Sequence, residues 1–286
     1  MEFIRPFEKI GKHNVSTAGG KGASLGEMTR AGIRVPPGYV ILSSAFDRFI
    51  QEANLVAELD SILHRVNPKE METIERASEE IHAHILGQKM PKDLEVEIKS
   101  HFKKLNSKFV AVRSSATAED SASAAWAGQL ESYLNTTEKT LAENVKKCWA
   151  SLFTPRAIFY RFEKGLRHTK ISVAVVVQKM VESEISGIAF SVHPVTQDYN
   201  QLIIEAGYGL GEAIVSGQIT PDSYVLEKKP FRILQKSVNM QSKGIFRNIK
   251  GDGGNEWRDI SSLDGKKQKL SDVQIEKLGK LVLEIE

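Results

Sequence analysis

The chain has 286 residues, of which 41% are hydrophobic and 26% are charged, as is ordinary for a folded globular protein. Its formal net charge is +3, from 39 Lys and Arg residues against 36 Asp and Glu residues. Because the two signs are interspersed along the chain, the charge pattern gives no support to nucleic-acid binding.

The single cysteine, Cys148, excludes an intramolecular disulfide and is typical of a reducing compartment. The first residues, MEFIRPFEKIGKHN, lack the apolar core of a signal peptide. No apolar run approaches the roughly 18 residues that a membrane span needs. We therefore expect a cytoplasmic protein that binds neither a membrane nor a nucleic acid.

The residues up to about 105 are predicted to be mainly helical, from their apolar spacing and helix-start signals. Ser44 is the expected N-cap of the second helix. The predicted elements of this part, in chain order, are helix 19–28, strand 39–42 and amphipathic helices 44–63, 69–86 and 92–105.

The next part alternates strand and helix. A short apolar run at 109–112 predicts a buried strand that ends at Arg113, where a polar loop begins. A long helix over 138–163 is expected to break at Thr154-Pro155, and the β-branched run 173–177 predicts a central strand.

Strands dominate from residue 185 onward, and the change in texture near 178–184 is the expected lobe boundary. The sequence therefore predicts two parts, 1–180 and 181–286. The predicted elements of the second part are strands 185–192, 201–205, 223–227 and 232–238, an exposed hairpin or loop over 243–268, and a last helix capped by Ser271.

A glycine-rich turn, Gly19-Gly20-Lys21-Gly22, runs into the first predicted helix. Such a turn exposes backbone N–H groups and the positive end of the helix dipole, and Lys21 adds a mobile cation, so the segment suits a phosphate group. It matches neither the Walker A pattern nor the GxGxxG pattern. A turn whose glycines satisfy backbone geometry, with Lys21 solvated, explains the same residues equally well.

Arg113 follows an apolar strand and precedes hydroxyl-bearing and small residues, in the order VAVRSSAT. A guanidinium in this position suits an anion. Because Arg stays charged, it needs a partner there, and a salt bridge to Glu119 or Asp120 is as consistent with the sequence as a bound anion.

Three further segments carry weaker signals. Segment 126–132, WAGQLES, holds a glycine that allows close approach to a ligand, and a plain turn explains it as well. Segment 175–182, VVVQKMVE, leaves one lobe for the other, so unpaired backbone groups there suit a purine edge; an ordinary strand end is the alternative. Segment 205–212, EAGYGLGE, suits either close approach to a ligand or a tight turn before a helix.

The seven histidines show no metal-ligand spacing, and no second cysteine is available for zinc, so the sequence predicts no metal site from these residues. Cys148, beside Trp149 in an apolar helical stretch, is predicted to be buried and inert.

Taken in order, six segments resemble the nucleotide-binding region of phosphoenolpyruvate synthase and pyruvate, phosphate dikinase. Rifampin phosphotransferase carries a closely similar region. The segments span about residues 8 to 228, and their fixed order makes chance resemblance improbable. They are GGKGASLGEMTRAGIRVPPGYVI, VAVRSSATAED, WAGQLESYLN, AVVVQKMV, SGIAFSVHP and IIEAGYGLGEAIVSGQITPDSY.

The resemblance implies an α+β ATP-grasp fold, in which ATP and Mg²⁺ lie in a cleft between two lobes, here 1–180 and 181–286. It implies that Lys21 and Arg113 hold the ATP phosphates and share the catalytic charge neutralisation with Mg²⁺. Gly128 and Ser132 fall at positions on the phosphate and ribose side. The adenine side is implied for Gln178 and for the backbone of Lys179, Met180 and Val181.

The family's full enzymes pass a phosphoryl group from ATP to a histidine on a separate domain, and from there to pyruvate or, in the third enzyme, to the antibiotic. The expected partners are therefore a phosphohistidine domain and a pyruvate-binding domain. The Thr-Ser-His-Ala-like motif of the mobile histidine does not occur in this sequence.

An acidic, Asp-Ile-Glu-Trp-like metal motif lies in the family just beyond the position where this chain ends, at Glu284-Ile285-Glu286. We therefore expect an N-terminal fragment that is inactive alone. A rifampin phosphotransferase domain and a non-catalytic nucleotide-binding module remain the alternatives.

Overall fold

The structure is a computed structural model that describes residues 1–117, 131–166, 172–248 and 254–286. The chain divides into two compact units, Met1–Met180 and Val181–Glu286, called here the first and the second unit. Each unit combines helices with antiparallel strands, which confirms a mixed helix-and-sheet protein. The ATP-grasp arrangement of two lobes stays a prediction.

Five strands form the sheet of the first unit: β1 (Ile4–Pro6), β2 (Gly38–Ile41), β3 (Val110–Ala116), β4 (Ser132–Thr136) and β5 (Val173–Lys179). Their spatial order is β1-β2-β5-β3-β4, and every neighbouring pair is antiparallel. β5 lies at the centre of the sheet, as predicted, because its run of valines is buried on both faces.

The described helices of the first unit are α1 (Val15–Arg30), α2 (Ser43–Glu52), α3 (Val56–His64), α4 (Met71–Gly87), α5 (Lys92–Lys104), α6 (Leu141–Ala150) and α7 (Pro155–Glu163). They pack on the two faces of the sheet, and successive residues of β5 point to opposite faces. Val176 packs with Ala18 of α1 in a small core. Val175 lies in the large core that α2 to α7 build around Phe49 and Trp149.

Three predictions in the helical part are wrong. The first helix, α1, begins at Val15 and not at residue 19, although its backbone breaks at Gly19. The helix expected over 44–63 is interrupted between α2 and α3, where Asn54 has a φ of +55°, a left-handed conformation that asparagine tolerates. Ser44 is not the N-cap, because α2 already begins at Ser43. The Ser44 hydroxyl instead donates to the carbonyl oxygen of Glu2.

Several predicted helix ends are confirmed. α4 and α5 lie close to the predicted ranges. The break at Thr154-Pro155 separates α6 from α7, because the Thr154 side chain accepts a hydrogen bond from the Ala157 N–H and Pro155 opens the helix.

The second unit contains a four-stranded antiparallel sheet in the order β6-β7-β8-β9. Its strands are β6 (Ile185–Phe190), β7 (Gln201–Tyr208), β8 (Asp222–Lys228) and β9 (Phe231–Ser237), close to the four predicted strands. Strands β10 (Lys243–Arg247) and β11 (Asn255–Asp259) pair with each other, as the hairpin interpretation of this stretch predicted. Short helices α8 (Glu212–Val215) and α9 (Ser262–Gly265) and the longer α10 (Asp272–Ile285) complete the unit.

α10 covers one face of the second sheet. Ser271 caps it as predicted, and Gln274 completes a capping box. Gly279 lets the helix lie close to β8, since a Cβ there would come within 2.7 Å of Leu226. No helix in the described part of the chain combines the length and the apolar character that crossing a membrane requires.

A buried ion pair fixes the start of β8. The Lys269 ammonium lies 3.0 Å from Asp222 Oδ1, and both side chains are fully buried. Asp222 also accepts hydrogen bonds from the N–H groups of Asn239 and Lys269 and from the Tyr224 hydroxyl. The carboxylate therefore has several donors besides its cationic partner.

Candidate functional site

The glycine-rich turn interrupts α1. Gly19 has φ +69° and ψ 169°, a backbone conformation that only glycine adopts easily, so the helix stops there and restarts at Gly20. The first N–H groups of a restarted helix have no acceptor within it, and they carry the positive end of the helix dipole. Lys21 lies in this first turn and is partly buried. The turn thus has the backbone geometry that suits an anion.

Arg113 lies in the middle of β3, which is longer than predicted. The strand continues through Ser114, Ser115 and Ala116, where the sequence predicted a polar loop. The hydroxyl of Ser114 donates to the carbonyl oxygen of Glu131, and so this polar side chain is satisfied inside the sheet. Arg113 therefore occupies a fixed position in the sheet.

The strand register places Arg113 on the same face of the sheet as α1. Arg113 is opposite Val176 of β5, and Val176 is opposite Val40 of β2. Directly paired residues of neighbouring strands share a face. Val40 and Val176 pack with Ala18 of α1, so Arg113 points to the face that α1 covers.

Ser132 and Gln178 lie on this same face. Ser132 of β4 is directly opposite Arg113. Gln178 follows Val176 by two residues along β5 and is nearly buried, and its amide donates to the carbonyl oxygen of Pro36 at 3.1 Å. The structure therefore brings Arg113, Ser132 and Gln178 onto the face that also carries the Lys21 turn.

Ser115 joins the turn to the strand, and the sequence alone did not single it out. Its hydroxyl donates to the carbonyl oxygen of Ala18 at 3.0 Å and accepts from the N–H of Gly22 at 3.2 Å. It is two residues after Arg113, hence on the same face. Lys21 is adjacent to Gly22, and Arg113 is two residues before Ser115. The hydrogen bond between Gly22 and Ser115, which are 93 positions apart in the chain, therefore brings the segments of Lys21 and Arg113 together. Only the extension of β3 beyond Arg113 could have indicated this role.

The strand end at Lys179 and Met180 differs from the expectation of unpaired backbone groups. The N–H of Lys179 donates to the carbonyl oxygen of Pro37 at 2.8 Å, and that of Met180 donates to the carbonyl oxygen of Phe109 at 3.1 Å. Both N–H groups are therefore hydrogen-bonded within the protein, because the end of β5 still pairs with the residues that precede β2 and β3. Val181, the first residue of the second unit, is exposed.

Gly128, the remaining predicted site residue, lies outside the described residues, as do Glu119 and Asp120, the alternative partners of Arg113. Lys21 and Arg113 each interact with other groups of the protein.

The glycine-bearing segment of the second unit forms a tight turn before α8. Gly209 has a φ of +92° and packs against the backbone of Ile245, and Glu212 begins the short helix. Glu212 also accepts a hydrogen bond from Asn255 of β11. The turn interpretation of this segment accounts for these contacts.

Among the described residues, no group of three or more His, Cys, Asp or Glu side chains is arranged to hold a metal ion. Cys148 is fully buried, as predicted, and burial raises the pKa of its thiol, so the reactive thiolate is disfavoured.

Three comparisons with curated proteins agree with the resemblance. A probable phosphoenolpyruvate synthase of Methanocaldococcus jannaschii is 40% identical over 100% of this chain, which covers 24% of that protein. A probable phosphoenolpyruvate synthase of Archaeoglobus fulgidus is 44% identical over 94% of this chain and 36% of its own length. The phosphoenolpyruvate synthase of Pyrococcus furiosus is 36% identical over 99% of this chain and 40% of its own length.

The chain thus spans less than half of the length of each of these relatives. The family described as pyruvate phosphate dikinase, AMP/ATP-binding domain, matches residues 15–286. Because that match covers nearly the whole sequence, the chain belongs to the pyruvate phosphate dikinase AMP/ATP-binding domain family.

Proposed function

We propose that the first unit binds ATP and that Lys21 and Arg113 hold its phosphates. The observation that carries the proposal is the joining of the Lys21 turn to β3 on one face of the sheet, through the hydrogen bond from Gly22 N–H to Ser115. This arrangement combines a helix start with two cationic side chains, and a polyphosphate is the ligand that such a combination favours.

We assign the rest of the nucleotide to Ser132 and Gln178 of the same face and, from the family resemblance, to Gly128 and the strand end through Val181. Ser132, opposite Arg113 in the register, is assigned to the phosphate and ribose side. The family resemblance assigns Gly128, outside the described residues, to the same side. Gln178 and the strand end through Val181 lie on the adenine side. Because the N–H groups of Lys179 and Met180 are engaged, adenine contacts there use carbonyl oxygens, side chains or the N–H of Val181.

We propose that the chain is the ATP-binding part of a phosphoenolpyruvate synthase. The overall reaction converts ATP, pyruvate and water to AMP, phosphoenolpyruvate and phosphate, through a phosphohistidine on another domain. The names of the relatives favour pyruvate over an antibiotic as the final acceptor. In this scheme Lys21 and Arg113 orient the triphosphate and neutralise the charge that moves during phosphoryl transfer.

Mg²⁺ accompanies ATP in the proposed reaction. The described residues hold no cluster of three or more candidate ligands, so they do not fit a site built from protein groups alone. Magnesium is commonly bound by substrate phosphates with only one or two carboxylates. No step is therefore assigned to a metal site on this chain.

Titration calorimetry with ATP in the presence of Mg²⁺ tests the proposal. The proteins are the wild type, Lys21→Ala, Arg113→Ala and the control Arg76→Ala, whose side chain is exposed on α4. Removing one charge-assisted contact to phosphate should raise the Kd about 10- to 100-fold in each site variant, since such contacts contribute roughly 1.5–3 kcal/mol. The control should bind ATP as the wild type does.

Two results would contradict the proposal in different ways. If the wild type binds no adenine nucleotide at millimolar concentration, ATP binding by this chain is wrong. If both site variants bind ATP as tightly as the wild type, the assignment of Lys21 and Arg113 is wrong even though the chain binds the nucleotide.

A further inference from the structure

We propose that Ser115 is a positioning residue that sets the glycine-rich turn against β3, so that the turn and Arg113 meet the triphosphate together. The inference rests on the proposed function, and it adds a residue that acts on the nucleotide through the turn. It starts from the two hydrogen bonds of the Ser115 hydroxyl, which is fully buried.

The two bonds hold both sides of the break in α1. Ala18, whose carbonyl oxygen accepts a hydrogen bond from the Ser115 hydroxyl, is the last residue before Gly19. Gly22, whose N–H donates to the Ser115 oxygen, lies in the first turn after the break. One hydroxyl donates once and accepts once, as its chemistry allows, and thereby fixes the direction in which the helix restarts.

The packing around the turn leaves little room for a different position. A Cβ on Gly19 would overlap the hydroxyl and the carbonyl oxygen of Ser115, so the backbone of the turn lies directly on the strand. On the side of β2, a Cβ on Gly22 would lie 3.0 Å from a methyl carbon of Val40. The turn therefore packs on the face of the sheet, against residues of both β2 and β3.

Ser115 also relates the turn to Arg113. The two residues lie on one face of β3 and are separated by a single residue, so any shift of the turn relative to Ser115 is a shift relative to the guanidinium. Two separate segments can hold one triphosphate only if they are correctly spaced. Misplacing one of the binding groups by about 1 Å removes a large part of the affinity that preorganisation provides.

The neighbouring serine supplies a matched control. Ser114 is about as deeply buried, and its hydroxyl makes a single hydrogen bond, to the carbonyl oxygen of Glu131 at 2.9 Å. It points to the opposite face of β3 from Ser115. Ser114→Ala and Ser115→Ala therefore both remove a buried hydroxyl, and only the second releases the turn.

The test compares wild type, Ser115→Ala, Ser115→Cys and Ser114→Ala by two measurements. Amide hydrogen exchange of Gly22, followed by NMR without nucleotide, should accelerate at least about tenfold in Ser115→Ala and remain unchanged in Ser114→Ala, because only the first loses the acceptor. The Kd for ATP should rise about tenfold in Ser115→Ala and less than about twofold in Ser114→Ala. Ser115→Cys, which keeps the size and a weak hydrogen-bonding group, should fall between wild type and Ser115→Ala.

Equal ATP affinities of Ser115→Ala and Ser114→Ala would overturn the proposal, as would unchanged protection of Gly22 in Ser115→Ala. If Ser115→Ala does not fold, the same two criteria apply to Ser115→Cys. If the wild type binds no ATP, the proposed function fails, and the exchange of Gly22 still decides whether Ser115 holds the turn.

Discussion

Gly19→Ala perturbs the turn itself, and its cost can be worked out from two separate features. The first is conformation: at φ +69° and ψ 169° a residue other than glycine loses roughly 1–3 kcal/mol. The second is contact: the new Cβ overlaps backbone and hydroxyl oxygens of Ser115, and forced accommodation of extra atoms costs roughly 1–3 kcal/mol. Gly19→Ala should therefore destabilise the first unit by about 2–6 kcal/mol in total.

Gly32→Ala separates the two features. Gly32 also has a positive φ, +82°, but a Cβ there would meet no atom within 4 Å. This variant should lose only about 1–2 kcal/mol, the cost of a left-handed conformation, and should bind ATP normally. Gly19→Ala, in contrast, should lose at least tenfold in ATP affinity because the turn must move away from β3.

Urea unfolding followed by NMR reports the two units separately, and calorimetry gives the ATP affinity of each variant that remains folded. Equal stability and equal ATP affinity of Gly19→Ala and Gly32→Ala would refute the inferred contact between the turn and β3. A loss of stability in Gly19→Ala without a loss of ATP affinity would show that the turn is structural and does not bind phosphate.

Two further predictions concern stability. Asp222→Ala leaves the buried Lys269 ammonium without its carboxylate and should destabilise the second unit by about 3–5 kcal/mol in urea unfolding. The control Lys236→Met, at an exposed ion pair, should change the free energy of unfolding little. Equal effects of the two substitutions would contradict the account of the buried pair. Burial lowers the pKa of His82, although a hydrogen bond to the Ala150 backbone acts in the opposite direction. The imidazole therefore binds its proton more tightly in the unfolded state than in the folded state. The stability that neutral His82 contributes should therefore be fully present above about pH 6.5 and be lost as the pH falls through its lower folded pKa. His82→Leu should flatten this pH dependence of the free energy of unfolding. An unchanged pH dependence would exclude the contribution of His82.

Local patterns were sufficient to predict most elements of the fold. Helical spacing of apolar residues located α4 and α5, and Thr154-Pro155 carries its own capping signal. Local patterns failed where a residue from a distant part of the chain determines the conformation. Ser114 and Ser115 read as loop residues because their hydroxyls need acceptors, and those acceptors are supplied by Glu131 and Ala18 from other elements.

The candidate site shows the same limit. Glycines around Lys21 and an arginine after an apolar run each have an ordinary explanation when considered alone. Their joining depends on the hydrogen bonds of Ser115 to Ala18 and Gly22, a long-range property that no local pattern contains. The order of the family-like segments links these residues in sequence, and the strand register shows that Arg113, Ser132 and Gln178 share one face.

A crystal structure of the chain with a non-hydrolysable ATP analogue and Mg²⁺ tests the central claim most directly. The account predicts phosphate oxygens within hydrogen-bonding distance, about 3 Å, of both the Lys21 ammonium and the Arg113 guanidinium. A bound analogue whose triphosphate touches neither side chain would contradict it.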